Sequence, residues 1–246
     1  MILYFIFFLF AFLYSMVGLG GGSAYVALLG ISGIEHKFIP STALFLNIIV
    51  TSIGFFNYRV HLNFKERKKF LILLYILSIT GAFIGSKISL KRKEFLLILG
   101  MSLIIASVVS FFRNKIIKEK VTQINLTKII FILIFGFLFG FLAGLVGIGG
   151  GIFLSPILLI AGFPVKEIAG ITSLYIFLNS SSGFISHLIE GNVNFSLILP
   201  FTIFVITGAI LGSFLGSFKF KPIIVKRTLT FIIFIIGIRI LWITIS

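Results

Sequence analysis

Gly18-Leu19-Gly20-Gly21-Gly22 and Gly147-Ile148-Gly149-Gly150-Gly151 are the two stretches on which the fold of this 246-residue chain turns. Each follows a long apolar run and precedes a shorter one, so each interrupts helix inside an apolar stretch. Glycine tolerates positive φ and lets backbone approach other groups closely. Broken backbone at membrane depth is admitted only where protein or a lined cavity surrounds it.

Working outward, apolar runs occupy 2–17, 23–34, 41–58, 70–86, 95–112, 129–146, 152–163, 168–188, 195–216 and 223–245. A full crossing needs about 20 residues. Most runs meet that length, whereas 23–34 and 152–163 fall short and hold matching places directly after the clusters. The run 2–17 has no basic segment before it and has a counterpart ahead of the second cluster, so it reads as part of the fold rather than as a signal peptide. With 59% hydrophobic and 11% charged residues and a mean hydropathy of +1.24, the chain lies far from soluble domains, which carry about 25% charged residues. It reads as a polytopic membrane protein.

Further matches come into register when the halves are aligned on the glycines. Gly33 falls on Gly162 and Lys37 on Lys166. With one residue added in the second half, Thr42-Ala43-Leu44-Phe45 pairs with Thr172-Ser173-Leu174-Tyr175. Thr51-Ser52-Ile53-Gly54-Phe55 meets Ser180-Ser181-Ser182-Gly183-Phe184, and Gly81-Ala82-Phe83-Ile84-Gly85-Ser86 resembles Gly208-Ala209-Ile210-Leu211-Gly212-Ser213. The expected fold is therefore all-α, with two structural repeats, each a broken-helix hairpin at a GxGGG cluster followed by three transmembrane helices. The boundaries are 1–114 for the first membrane repeat, 115–127 for a cytoplasmic linker and 128–246 for the second.

Basic residues decide whether the copies are parallel or inverted. If each cluster is the tip of a hairpin returning to its starting side, one face receives Lys37, Lys87, Lys91, Arg92, Lys93 and Arg239, and the other receives the remaining fifteen of the 21 lysines and arginines. If each cluster lies within one continuous crossing, Lys166, Lys219, Lys221, Lys226 and Arg227 join the first face, Arg239 leaves it, and the split becomes ten against eleven. Cytoplasmic loops are the basic ones, so the count predicts hairpins, inverted copies and both chain ends outside. The net charge of +15 sits in short loops between apolar runs, which is topogenic charge rather than a nucleic-acid footprint.

The absence of cysteine removes thiolate nucleophiles, disulfides and Cys-based metal sites. All six acids are glutamates, Glu35, Glu66, Glu94, Glu119, Glu167 and Glu190, and each lies in a connection or at a helix end. Intramembrane carboxylates usually carry protons or cations in pumps, so a carboxylate-based cation transporter is disfavoured. Three dispersed histidines without clustered acids make no metal site, no nucleophile stands beside a base, and neither metal nor cofactor is expected.

A helix starting at Ser23 or Ile152 exposes N–H groups with no intrahelical acceptor, and these favour an anion. Gly20, Gly21, Gly22 and Ser23, with Gly149, Gly150 and Gly151, are accordingly candidate substrate-binding residues; three glycines in a row exceed what packing alone suggests. Thr42, Asn47, Thr51 and Ser52 on the third run, and Thr172, Ser173, Asn179, Ser180 and Ser181 on its counterpart, supply neutral donors. Such groups bind an oxyanion at less desolvation cost than a buried charge, although interhelical hydrogen bonding would use them equally well. Gly81, Gly85, Gly136, Gly140, Gly144, Gly208 and Gly212, at four-residue spacing, read as helix-packing positions. Histidine is the side chain whose unperturbed titration falls near neutral pH, so His187 is a candidate for proton coupling.

The two GxGGG clusters, Gly170-Ile171-Thr172-Ser173-Leu174, and Ser182-Gly183-Phe184-Ile185-Ser186-His187 leading to Gly191-Asn192-Val193 resemble the TauE/SafE sulfite exporter family, also called TSUP transporters. The likeness covers essentially the whole chain and is stronger in the second half. In the first, Pro40-Ser41-Thr42-Ala43-Leu44 replaces the family's Gly-Thr-Ser-Leu-like run, and Asn57-Tyr58 stands where Ser-His is found. The resemblance implies a secondary transporter in the cytoplasmic membrane of a prokaryote. Its partners would be membrane lipid and a small inorganic or organosulfur anion such as sulfite, thiosulfate or an organosulfonate, exported at the expense of an ion gradient. An anion channel and a non-transporting membrane subunit of a larger complex are the alternatives. The sequence leaves an oligomer open without supporting one.

Overall fold

The structure, a computed structural model, describes residues 2–112, 126–218, 231, 234–235, 237–242 and 244. Every regular element among them is helical: α1 (Ile2–Ser15), α2 (Gly22–Ile31), α3 (Ile39–Tyr58), α4 (Phe64–Ser86), α5 (Arg92–Phe112), α6 (Leu126–Val146), α7 (Gly151–Ile160), α8 (Val165–Ile189) and α9 (Phe195–Phe218), with single 3-10 turns at His36–Phe38 and Arg59–His61. Helices containing α3, α4, α6, α8 and α9 are long and apolar enough to cross a membrane, while α1, α2 and α7 are shorter apolar helices. Most of the expected linker 115–127 and of the last apolar run lies outside the described residues, and α6 already begins at Leu126.

Both clusters reverse the chain. Gly18, Gly21, Gly147, Gly149 and Gly150 all have positive φ, as do the matched pair Gly33 and Gly162. In the left-handed region a Cβ crowds the backbone, so the bends need glycine. After the first bend, α2 runs back beside α1: Tyr14 meets Ser23, with 2.7 Å between their hydroxyls, and Phe7 stacks on Tyr25 at 5.0 Å between centroids. After the second, Phe139 stacks on Phe153 at 5.1 Å, and Ile132, in the second turn of α6, shares a groove with Ile157 and Ile160 near the end of α7. The end of α7 thus lies level with the first turns of α6.

The helices pair across the halves. α9 packs on α1 and α3, α4 packs on α6 and α8, and α3 packs on α8. Exchanging the halves maps each of these pairings onto another or onto itself. α3 and α8 run antiparallel, because Phe45 faces Phe184 at 5.3 Å while Gly54 lies against Ser173.

Small residues set the closest of these seams. A Cβ on Gly81 would strike the carbonyl of Phe137 and one on Gly85 that of Phe141, both on α6. On α9, Gly208 meets Phe8 and Gly212 meets Phe12 in the same manner, at matching positions of α1. Lipid gives no hydrophobic drive between helices, so association depends on such close backbone approach. The packing reading of these glycines is correct. Outward-facing Ile134, Leu199, Ile203 and Leu211 are exposed, as suits a hydrocarbon surround.

Candidate functional site

The two clusters touch each other at the centre of the molecule. A Cβ on Gly22 would lie 2.7 Å from the carbonyl oxygen of Gly147 and 2.8 Å from that of Ile148. Two side chains from the antiparallel pair α3 and α8 fill the remaining space. Asn47 lies against Gly20, Gly22 and Gly149, and Ile176 against Gly20, Gly149 and Gly151. Close approach therefore requires glycine at each of these positions, and the run of glycines is not in itself a ligand signature.

The hydrogen bonds are more informative, because neutral side chains take up the cluster carbonyls. Asn179 donates Nδ2 to Gly149 O at 3.2 Å, and Asn47 donates Nδ2 to Gly147 O at 3.4 Å. Thr172 and Ser173 both donate to Gly18 O, each at 3.1 Å. By contrast, the N–H groups of Gly20, Gly21, Gly22 and Ser23, and of Ile148, Gly149, Gly150 and Ile152, have no backbone acceptor among the described residues. Carbonyls occupied and N–H groups open is the polarity that favours negative charge at a helix start. Asn47 Oδ1 is fully buried and also without a partner among the described residues.

Other candidates are placed differently. Thr51 lies one turn from Asn47 and donates to its carbonyl at 2.6 Å, and Ser180 donates to Asn179 Oδ1 at 3.3 Å. Both are buried beside the clusters. Ser23 is tied to Tyr14. Thr42 donates to Phe38 O at the start of α3, beside Pro40, which lies against Gly147, and bonds to neither cluster. Ser52 is exposed and bonds back to Ile49 O, and half-buried Ser181 bonds back to Phe177 O. The structure therefore gathers Gly20, Gly22, Gly149, Gly151, Asn47, Asn179, Thr172 and Ser173 and leaves Thr42, Ser52 and Ser181 outside that group. Ile176 and the Gly18 carbonyl belong to it, although an apolar side chain and a backbone oxygen carry no sequence signal of their own.

His187 and Tyr58 hold matching places at the ends of α8 and α3. His187 Nε2 lies 3.2 Å from Gly144 O, and the Tyr58 hydroxyl donates to Met16 O at 2.6 Å. Each secures a carbonyl at the end of the helix that leads into a cluster, which explains how a tyrosine serves where the second half has a histidine. Removing one partner of a buried hydrogen bond costs about 1–3 kcal/mol. Tyr58→Phe is therefore expected to lower the melting temperature in detergent, and an unchanged melting curve would show that this hydroxyl anchors nothing.

Broken helices meeting around buried neutral donors, inside a bundle with several membrane-length helices, define a multi-pass α-helical transporter. The profile of the sulfite exporter TauE/SafE family matches residues 3–240, and the chain belongs to that family. It is 27% identical over 239 residues, 96% of each chain, to the probable membrane transporter protein y4hK of Sinorhizobium fredii. No solved structure matches it. The chain is a membrane transporter of the TauE/SafE type and not an enzyme.

Proposed function

We propose that the chain is a secondary transporter which exports a small sulfur-containing anion, sulfite, thiosulfate or an organosulfonate, across a prokaryotic cytoplasmic membrane. The observation that carries the anionic substrate is the open N–H groups of Gly20–Ser23 and of Ile148, Gly149, Gly150 and Ile152, in clusters where side chains already occupy the Gly18, Gly147 and Gly149 carbonyls. No charged side chain lies among the gathered residues, so an anion held there meets many weak donors and can leave. The unpartnered Asn47 Oδ1 would accept a hydrogen bond from a protonated oxyanion or from water. Sulfur itself comes from the family, not from this geometry.

The halves 1–114 and 128–246 act as inverted repeats in this reading. The antiparallel run of α3 and α8, and cross-half seams that repeat at matching positions, support it. Alternating access then follows from motion of one repeat against the other around the central site, with coupling to an ion gradient and His187 as the candidate proton carrier.

Purified protein in liposomes loaded with unlabelled sulfite or thiosulfate is expected to take up the labelled anion by counterflow. Uptake without counterflow would make it a channel. No flux of either anion or of a sulfonate under any imposed gradient would reduce it to a subunit of a larger complex.

A further inference from the structure

Away from the clusters, a charged pair among the described residues joins the two halves. Glu167, in the first turn of α8, is only 4% exposed. Its Oε1 lies 3.6 Å from Nε of Arg67, whose side chain is 18% exposed. The Arg67 guanidinium also sits 4.1 Å from the centroid of Phe163, a buried ring that itself packs on Phe70 at 6.0 Å. Arg67 is the one residue inside α4 with non-helical torsions, φ −118° and ψ 15°, so the helix turns at the residue that makes the contact. Beside it, Lys166 reaches away to donate to Ser217 O at 2.9 Å, at the end of α9.

We propose that Arg67 and Glu167, closed over Phe163, form a gate that must part whenever the central site opens toward the face where α4 and α8 begin and α9 ends. The proposal rests on the transporter reading and adds named residues to it. Phe163 and Glu167 belong to the second half and Arg67 to the first, so motion of one half against the other stretches this contact. An ion pair at the rim suits a contact that opens and closes. Closed, each charge is paired; open, each is hydrated, so little net energy separates the two. The bend at Arg67 gives the start of α4 a place to swing, since hinges concentrate at element ends that absorb torsion changes.

The gate is one-sided. Aligning Lys37 on Lys166 puts Phe38 at the place of Glu167, and aligning Phe64 on Phe195 puts Ile198 at the place of Arg67, so the matching positions on the other face carry no charge. The two faces are therefore closed by different chemistry, and substitutions in the pair should affect one face only.

The chain has no cysteine, so a single introduced thiol reports cleanly. Leu62, which packs on Gly170 near the start of α8, is the reporter position. In the Leu62→Cys background, Arg67→Gln and Glu167→Gln are each expected to raise labelling by an impermeant maleimide about tenfold, the scale of a population shift of this kind. The charge swap Arg67→Glu with Glu167→Arg should restore the slow rate. Unchanged labelling in both single variants, or a swap as fast as they are, overturns the gate. This arm needs no substrate and so fails or holds apart from the anion reading.

A second arm tests the gate by holding it shut rather than by weakening it. Arg67→Cys with Glu167→Cys, bridged by a bis-maleimide through stable thioethers in liposomes, is expected to lose the sulfite flux that the unbridged double variant retains. Full flux with the linker in place overturns the proposal even if the glutamine variants do not fold. If wild-type protein carries no sulfite, thiosulfate replaces it as the probe.

Discussion

Gly22→Ala is expected to stop transport while the protein remains folded. Gly22 begins α2 without positive φ, and alanine is the better helix former there. The local helix therefore does not resist the change. What resists is the other cluster: the added methyl would meet Gly147 O at 2.7 Å and Ile148 O at 2.8 Å as well as the Asn47 amide. Both carbonyls are backbone and cannot rotate aside, so the two hairpin tips must separate by several tenths of an ångström. Displacements approaching 1 Å in a site of fixed geometry cost on the order of 10²-fold in rate, and a loss of that size in anion flux is the expected reading. Gly30→Ala, on the same helix, is the control. Its methyl would meet only Leu96 Cδ2, at 3.8 Å, and flux should be normal. Equal loss in both variants, or none in Gly22→Ala, would show that contact between the clusters is not part of the transport site.

The largest effect on stability is expected at the seams between halves. Gly85→Val drives a branched side chain into the Phe141 carbonyl on α6, and Gly212→Val does the same to Phe12 on α1. Overpacking a core costs about 1–3 kcal/mol where side chains can give way, and more is expected here because the obstacle is helix backbone. Each variant should fail to yield a single sharp peak in size exclusion, and the two should fail alike because the seams are equivalent. A stable, monodisperse Gly212→Val protein beside an aggregated Gly85→Val one would show that the two seams are not equivalent. Gly150 makes a poor probe of function by comparison, because its φ of +68° and its approach to the Phe139 carbonyl at 2.6 Å confuse loss of fold with loss of binding.

Much of this molecule was legible in the linear chain. The broken helices, the short return segments and the packing glycines all rest on local signals, namely apolar run length, glycine runs and four-residue spacing. Charge counting makes a statement about the loops that one contact bears on. It placed Arg67 and Lys166 on one face only if the chain doubles back at the clusters, and the Arg67–Glu167 contact agrees with that course. Less legible was which hydroxyls matter. Thr42, Asn47, Thr51 and Ser52 share one helix, yet Asn47 lies between the clusters, Thr42 bonds within its own first turn and Ser52 is exposed. A helix so rich in small and polar residues has no strong apolar face to reveal its orientation, which is set by its neighbours.

By itself, the sequence determined a polytopic helical protein with two glycine-broken hairpins, because membrane burial and positive φ leave few residue types able to do either task. Only the tertiary structure decided that the two breaks touch, that Asn47 and Ile176 occupy the space their glycines leave, and that Arg67 finds Glu167. Those contacts join residues far apart in the chain, and helix orientation and register, which no local pattern encodes, are fixed by how closely the backbones can approach.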